Sequence, residues 1–105
     1  MEEVMKQIAE FNKEREWDKF HTPENLAKCI SIEAAELLEC FQWDVEKYNK
    51  EEVCEELADV FTYCIQMAMK LGVSPEEIVL KKLYKTKKKY PVEKSKGVST
   101  KYNKL

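Results

Sequence analysis

Two pairs of acids, each spaced three residues apart, stand on what read as neighbouring helices. Glu33 and Glu36 lie in Ile32-Glu33-Ala34-Ala35-Glu36-Leu37; Glu56 and Asp59 lie in Glu55-Glu56-Leu57-Ala58-Asp59-Val60. At roughly 100° per residue, the first pair shares an arc of about 120° with Leu26, Ile30, Leu37 and Cys40. The second pair shares a similar arc, again about 120°, with Val53, Val60, Tyr63, Met67 and Leu71. All four acids therefore sit in the apolar sector of their helix. An ionised carboxylate taken out of water is costly unless something positive compensates it. Four together call for a strong cation.

The two helices are joined by a short connection, about Asp44 to Tyr48, which forces a hairpin. Glu36 lies seven residues before Trp43 and Glu56 seven after Asn49. Both pairs then stand about 10 Å from the turn and face each other. Oxygen donors without histidine suit a hard cation, Mg²⁺ or in its place Mn²⁺. A di-iron bundle needs a histidine three residues after a glutamate on two helices; His21 is the only histidine, lies before a helix and has Asp18, not a glutamate, three before it. The competing reading is structural ion pairing with lysines. Two inward pairs at one level favour the metal.

Helix punctuation supports this placement. Val4, Ile8, Phe11 and Arg15 predict a first helix from about Glu2 to Glu16. Thr22-Pro23 starts a second that ends near Trp43, and Asn49 with Glu52 starts a third that Gly72 stops. Ser74-Pro75-Glu76-Glu77 starts a fourth, which ends at Tyr90 before Pro91. The reading is all-α: a four-helix domain over residues 1–91 and an extended polar tail over 92–105. With 105 residues the core is small, and assembly through the helices is expected.

On the fourth helix Lys82, Lys85, Lys89 and Thr86 form one stripe bordering Val79 and Tyr90. Lys82 and Lys89, beside the apolar edge, are candidates for phosphate contacts. Lys81, Lys87 and Lys88 fit a solvated helix end. A divalent cation with lysines is suited to polyphosphate chemistry, in which charge neutralisation carries much of the acceleration. No glycine-rich phosphate loop is present. Trp17, Phe20, His21 and Trp43 fit either the walls of a nucleobase pocket or packing at hairpin ends.

The net charge of -2 argues against a nucleic-acid partner, and no apolar run is long enough to span a bilayer. Cys29, Cys40, Cys54 and Cys64 match no metal-clip spacing. They read as reduced, mostly core residues of a cytoplasmic protein.

Several stretches resemble the dCTP pyrophosphatase branch of the MazG-like proteins. They are Phe11-Asn12-Lys13-Glu14-Arg15-Glu16-Trp17, His21-Thr22-Pro23-Glu24-Asn25-Leu26, Ile32 through Phe41-Gln42-Trp43, Glu55 through Val60, Lys89-Tyr90-Pro91 and Ser99-Thr100-Lys101-Tyr102. The resemblance implies hydrolysis of a nucleoside triphosphate, a deoxynucleotide foremost, to monophosphate and pyrophosphate, with magnesium on Glu33, Glu36, Glu56 and Asp59. It also implies that Trp17 and Trp43 approach the base, that Asn25 and Tyr63 lie in or beside the pocket, and that subunits form dimers or tetramers. Glu36 is the candidate general base. Relatives often carry Asn and Arg where this chain has Thr86 and Lys89, which puts the phosphate contacts in doubt. The alternative is a non-catalytic nucleotide-sensing or helix-bundle interaction protein that keeps the fold.

Overall fold

Polar side chains open three of the helices. In the computed structural model, which describes residues 1–105, Thr22 Oγ1 accepts from the Asn25 amide at 3.2 Å and opens α2 (Pro23–Glu39). Asn49 Oδ1 accepts from the Glu52 amide at 3.1 Å and opens α3 (Lys50–Leu71). Ser74 Oγ accepts from the Glu77 amide at 3.2 Å and opens α4 (Pro75–Lys89). Each hydroxyl or amide satisfies a backbone donor that the first turn leaves free. Gly72, at φ 69, closes α3 in the left-handed conformation that an L side chain resists. There are no strands.

The chain divides into two compact units, Met1–Gly72 and Val73–Leu105. In the first, α2 and α3 pack along each other as an antiparallel hairpin. Cys40 faces Glu52 and Glu56, Glu33 faces Glu56 and Asp59, and Cys29 faces Tyr63, so position falls along one helix as it rises along the other. α1 (Glu2–Glu14) lies against α3. The Asn12 amide nitrogen donates to Gln66 Oε1 at 2.8 Å across that contact. The buried apolar side chains are only Leu26, Ile65 and Ala68, with Asn12 and Gln66 buried beside them.

Two helix ends differ from the periodicity. α1 stops at Glu14 rather than Glu16, because Glu16 turns left-handed at φ 53. The Glu16 amide then bonds Lys13 O at 3.2 Å and the Trp17 amide bonds Asn12 O at 3.0 Å. This is a Schellman ending, built here without glycine. α2 stops at Glu39 rather than near Trp43. Its path continues in tighter turns, Cys40, Phe41 and Gln42 bonding back three residues. Asp44 Oδ1 then accepts from the amides of Glu46 and Lys47, and Phe41 packs on Tyr48 with centroids 5.0 Å apart. A side chain that captures nearby amides competes with helix, which is why the apolar pattern overran the end.

In the second unit α4 is followed by α5 (Val92–Ser95) and a 3₁₀ turn at Tyr102–Lys104. The stretch after Pro91 is thus extended only between short turns. Tyr102 packs edge-on against Tyr90 at 6.0 Å, with Lys89 Nζ 4.6 Å from its ring centre. This stacking, with Gly97 at φ 80, returns the chain to the end of α4. The cysteines are all free; Cys29 and Cys40 are half-buried, but Cys54 and Cys64 are exposed rather than in the core. The small first unit has nothing to cover that face of α3.

Candidate metal centre and adjoining cavity

The hairpin brings the acids of α2 and α3 together. One carboxylate oxygen from each of Glu33, Glu56 and Asp59 lies within 4.8 Å of the other two. Glu36 stands beside them, close enough for its carboxylate to raise both Glu33 and Glu56. Glu33 and Glu56 are half-buried, whereas Glu36 and Asp59 lie at the exposed edge. Cα–Cβ bonds tilt towards a helix's N-terminus, so i and i+3 partners on two opposed helices converge from both sides.

The electrostatics are those of a site lacking its counter-charge. Glu33 is raised from 4.5 to about 7: its carboxyl proton is held by a hydrogen bond to Glu36, next by burial, then by the negative charges of Glu36, Asp59 and Glu56. Burial pushes Glu56 up as well, with the Glu36 charge second. Glu33 Oε2 and Glu56 Oε2 are buried without any hydrogen-bond partner. No lysine or arginine answers them; the ion pairs of this unit are Arg15–Glu14 at 3.9 Å and Lys28–Glu24 at 3.7 Å. Orphaned carboxylate oxygens, converging and unneutralised, fit a divalent cation with oxygen preference. The salt-bridge reading has no such partner to offer.

Asp59 also borders a cavity of about 370 Å³. Its walls include Phe11, Trp17, His21, Thr62 and Tyr63, with Asn12 and Gln66 among the lining groups. Phe11 meets Trp17 edge-on at 5.4 Å, and His21 meets Tyr63 edge-on at 6.4 Å. Burial raises Tyr63 above the ordinary phenol value. His21 Nδ1 is buried and unpartnered. An acid cluster thus opens directly onto an aromatic chamber large enough for a nucleobase.

The structure gathers Glu33, Glu56 and Asp59 at one point, with Glu36 beside them, and sets Trp17 and Tyr63 in the wall of the cavity that Asp59 borders. Asn25 does not line this cavity; its Nδ2 donates to Phe20 O at 3.0 Å and so fixes the 3₁₀ turn (Asp18–Phe20) that delivers His21. Trp43 lies beyond the end of α2, 90% exposed. Lys82 and Lys89 belong to α4, where Thr86 Oγ1 donates to Lys82 O at 3.0 Å. Sequence reasoning passed over Asn12, Thr62 and Gln66. Two signals were available: Asn12 follows Ile8 by four residues within the apolar stripe of α1, and Gln66 follows Asp59 by seven, on the same edge of α3.

A helical hairpin that converges acids without neutralising them, beside an aromatic chamber, defines an all-α protein with a candidate metal site. The MazG-like family model matches residues 28–105. Over the whole chain the sequence is 36% identical to dCTP pyrophosphatase 1 of Rattus norvegicus and 32% identical to that of Bos taurus, covering 67% and 68% of those proteins. A solved pyrophosphatase from Archaeoglobus fulgidus superposes with a TM-score of 0.81 at 44% identity, over 87% of this chain and 92% of that one. The chain belongs to the MazG-like family.

Proposed function

We propose that this protein is a magnesium-dependent nucleoside triphosphate pyrophosphohydrolase that removes unwanted nucleotides from the precursor pool. One observation carries the reading: carboxylate oxygens of Glu33, Glu56 and Asp59 lie within 4.8 Å of one another, and two oxygens of this centre are buried without partners. Glu33, Glu36, Glu56 and Asp59 would hold the cation. When bound, it supplies charge neutralisation for the phosphates and acidifies water. The chain's own side chains do the rest. The Glu36 carboxylate, at the exposed edge, takes the proton of the attacking water. A water oxygen–phosphorus bond forms, the anhydride between the α and β phosphates breaks, and pyrophosphate departs with the anhydride electrons.

The cavity walls Trp17 and Tyr63 receive the base, and Asn25 keeps the turn that carries His21 in place. Lys82 and Lys89 contact phosphate. dCTP heads the substrate panel because the rat and bovine relatives bear that name. A homodimer or homotetramer fits a core with three buried apolar side chains and large exposed ones, among them Ile32, Leu38, Phe61 and Trp43. Trp43 completes the base site in that assembly. No helix is long and apolar enough to cross a membrane. Free thiols and a nucleotide substrate accord with the cytoplasm.

The test is to incubate the protein with each common nucleotide and Mg²⁺, and to resolve monophosphate plus pyrophosphate from diphosphate plus phosphate. Glu36→Gln and Asp59→Asn should each abolish turnover while helicity and oligomeric state persist. Full activity in either variant would remove the assigned residues from the centre. Absence of any hydrolysis by the unmodified protein would leave a nucleotide sensor.

A further inference from the structure

The contact that joins α1 to α3 is polar where apolar packing would serve. Asn12 is 5% and Gln66 8% exposed, and the single hydrogen bond between their side chains is 2.8 Å long. Two paired amides in a core with only three buried apolar residues give less packing energy than two aliphatic chains of the same volume. Both line the aromatic cavity next to Asp59. Their mutual bond uses one donor and one acceptor. Whichever way round the amides stand, one carbonyl oxygen and one NH₂ group remain outside that bond.

We infer that the Asn12–Gln66 amide pair reads the hydrogen-bonding edge of the nucleobase and sets base preference. The inference rests on the pyrophosphohydrolase reading above and names the groups that would discriminate among its substrates. A base edge presents alternating donors and acceptors in one plane, and a paired diamide presents the complementary alternation. The aromatic walls supply the stacking, which every base provides alike. Selectivity therefore needs buried polar groups that are left unpaired by a wrong partner, since apolar walls discriminate weakly. Asn12 and Gln66 are the polar side chains of this cavity that are buried. They are anchored on two different helices, so the pair is held from both sides. His21 Nδ1 offers one further unpartnered polar atom in the same wall.

The test compares the unmodified protein with Asn12→Leu/Gln66→Met, which replaces both amides by apolar groups of similar volume and leaves no orphan behind. kcat and KM are measured with Mg²⁺ for the common deoxynucleoside triphosphates and for abasic 2-deoxyribose 5-triphosphate. We expect kcat/KM for the best base to fall by about 10- to 100-fold, mostly through KM, as one or two hydrogen bonds are lost. The abasic compound should change by less than about twofold, and the spread among bases should collapse. If the double variant does not fold, Gln66→Ser, which keeps a smaller donor and acceptor, is put through the same panel and should narrow the spread. An unchanged spread in a folded variant makes the pair purely structural and overturns the inference. So does an unmodified enzyme that hydrolyses all bases equally, although the pyrophosphohydrolase reading then survives. Failure of the unmodified enzyme to hydrolyse any triphosphate sinks that reading, and the inference with it.

Discussion

Replacing one acid of the centre should make the metal-free protein more stable while removing its response to magnesium. Glu33→Gln is the sharpest case. Two unit charges 4.8 Å apart repel by about 0.9 kcal/mol in water and about 3.5 kcal/mol at an effective dielectric of 20. Glu33 is half-buried and partly screened, so the lower end applies, about 1 kcal/mol. For a domain of this size that raises Tm by about 4–8 °C. The effect depends on pH in a fixed direction. Glu33 is raised from 4.5 to about 7 in the folded state. Below 4.5 the carboxyl is neutral in both states and there is no repulsion to relieve. Between 4.5 and 7 the unfolded chain ionises first, so stability falls as pH rises, and the loss is complete above 7. Thermal unfolding followed by circular dichroism in EDTA should therefore show Glu33→Gln above the unmodified protein at pH 8 and equal to it at pH 4. Added Mg²⁺ should reverse the order at pH 8: at 100 times its dissociation constant it stabilises the unmodified protein by about 2.7 kcal/mol. A variant less stable than the unmodified protein in EDTA at pH 8, or equally responsive to Mg²⁺, would refute the claim that these acids are held together at their own expense.

Glu16→Gly should raise stability by about 0.5–1 kcal/mol by relieving the left-handed φ of 53, read as a higher urea midpoint with kcat unchanged. Leu26→Ala should lower stability by about 2–5 kcal/mol, since Leu26 is 1% exposed; the same urea titration measures it. Trp17→Ala should raise KM for nucleotides by about tenfold, with helicity unaltered, because the ring forms cavity wall rather than core. Metal removal should abolish turnover reversibly; activity that survives exhaustive chelation would count against a carboxylate-held cation.

Much of this architecture was legible because the signals are local. Thr22, Asn49 and Ser74 each cap the helix that the sequence assigns to them, and Gly72 ends α3 at the expected residue. The convergence of the acids was legible too, since i,i+3 spacing and a single hairpin fix it without any knowledge of distant contacts. What escaped was non-local or contradicted a local preference. Glu16 adopts a conformation that its type disfavours, so the end of α1 was placed two residues late. Asp44 diverted the end of α2 through bonds to amides that periodicity does not register. The pairing of Asn12 with Gln66 spans 54 residues and reads, residue by residue, as two ordinary polar positions.

These misses and the function share a cause. Local preference describes what stabilises each helix, and this protein departs from it where it must present something to a ligand. The left-handed Glu16 sets the direction of Trp17, whose amide bonds Asn12 O while its ring meets Phe11. The backbone of Asn12 thereby anchors one wall of the cavity, and its side chain joins the wall supplied by α3. Four acids that repel one another complete the arrangement at the Asp59 edge. A sequence selected only for stability would place aliphatic chains at 12 and 66 and neutral groups among 33, 36, 56 and 59. Each of these changes leaves the helices intact, and each removes one of the groups by which the first unit would hold a cation, a base or the wall between them.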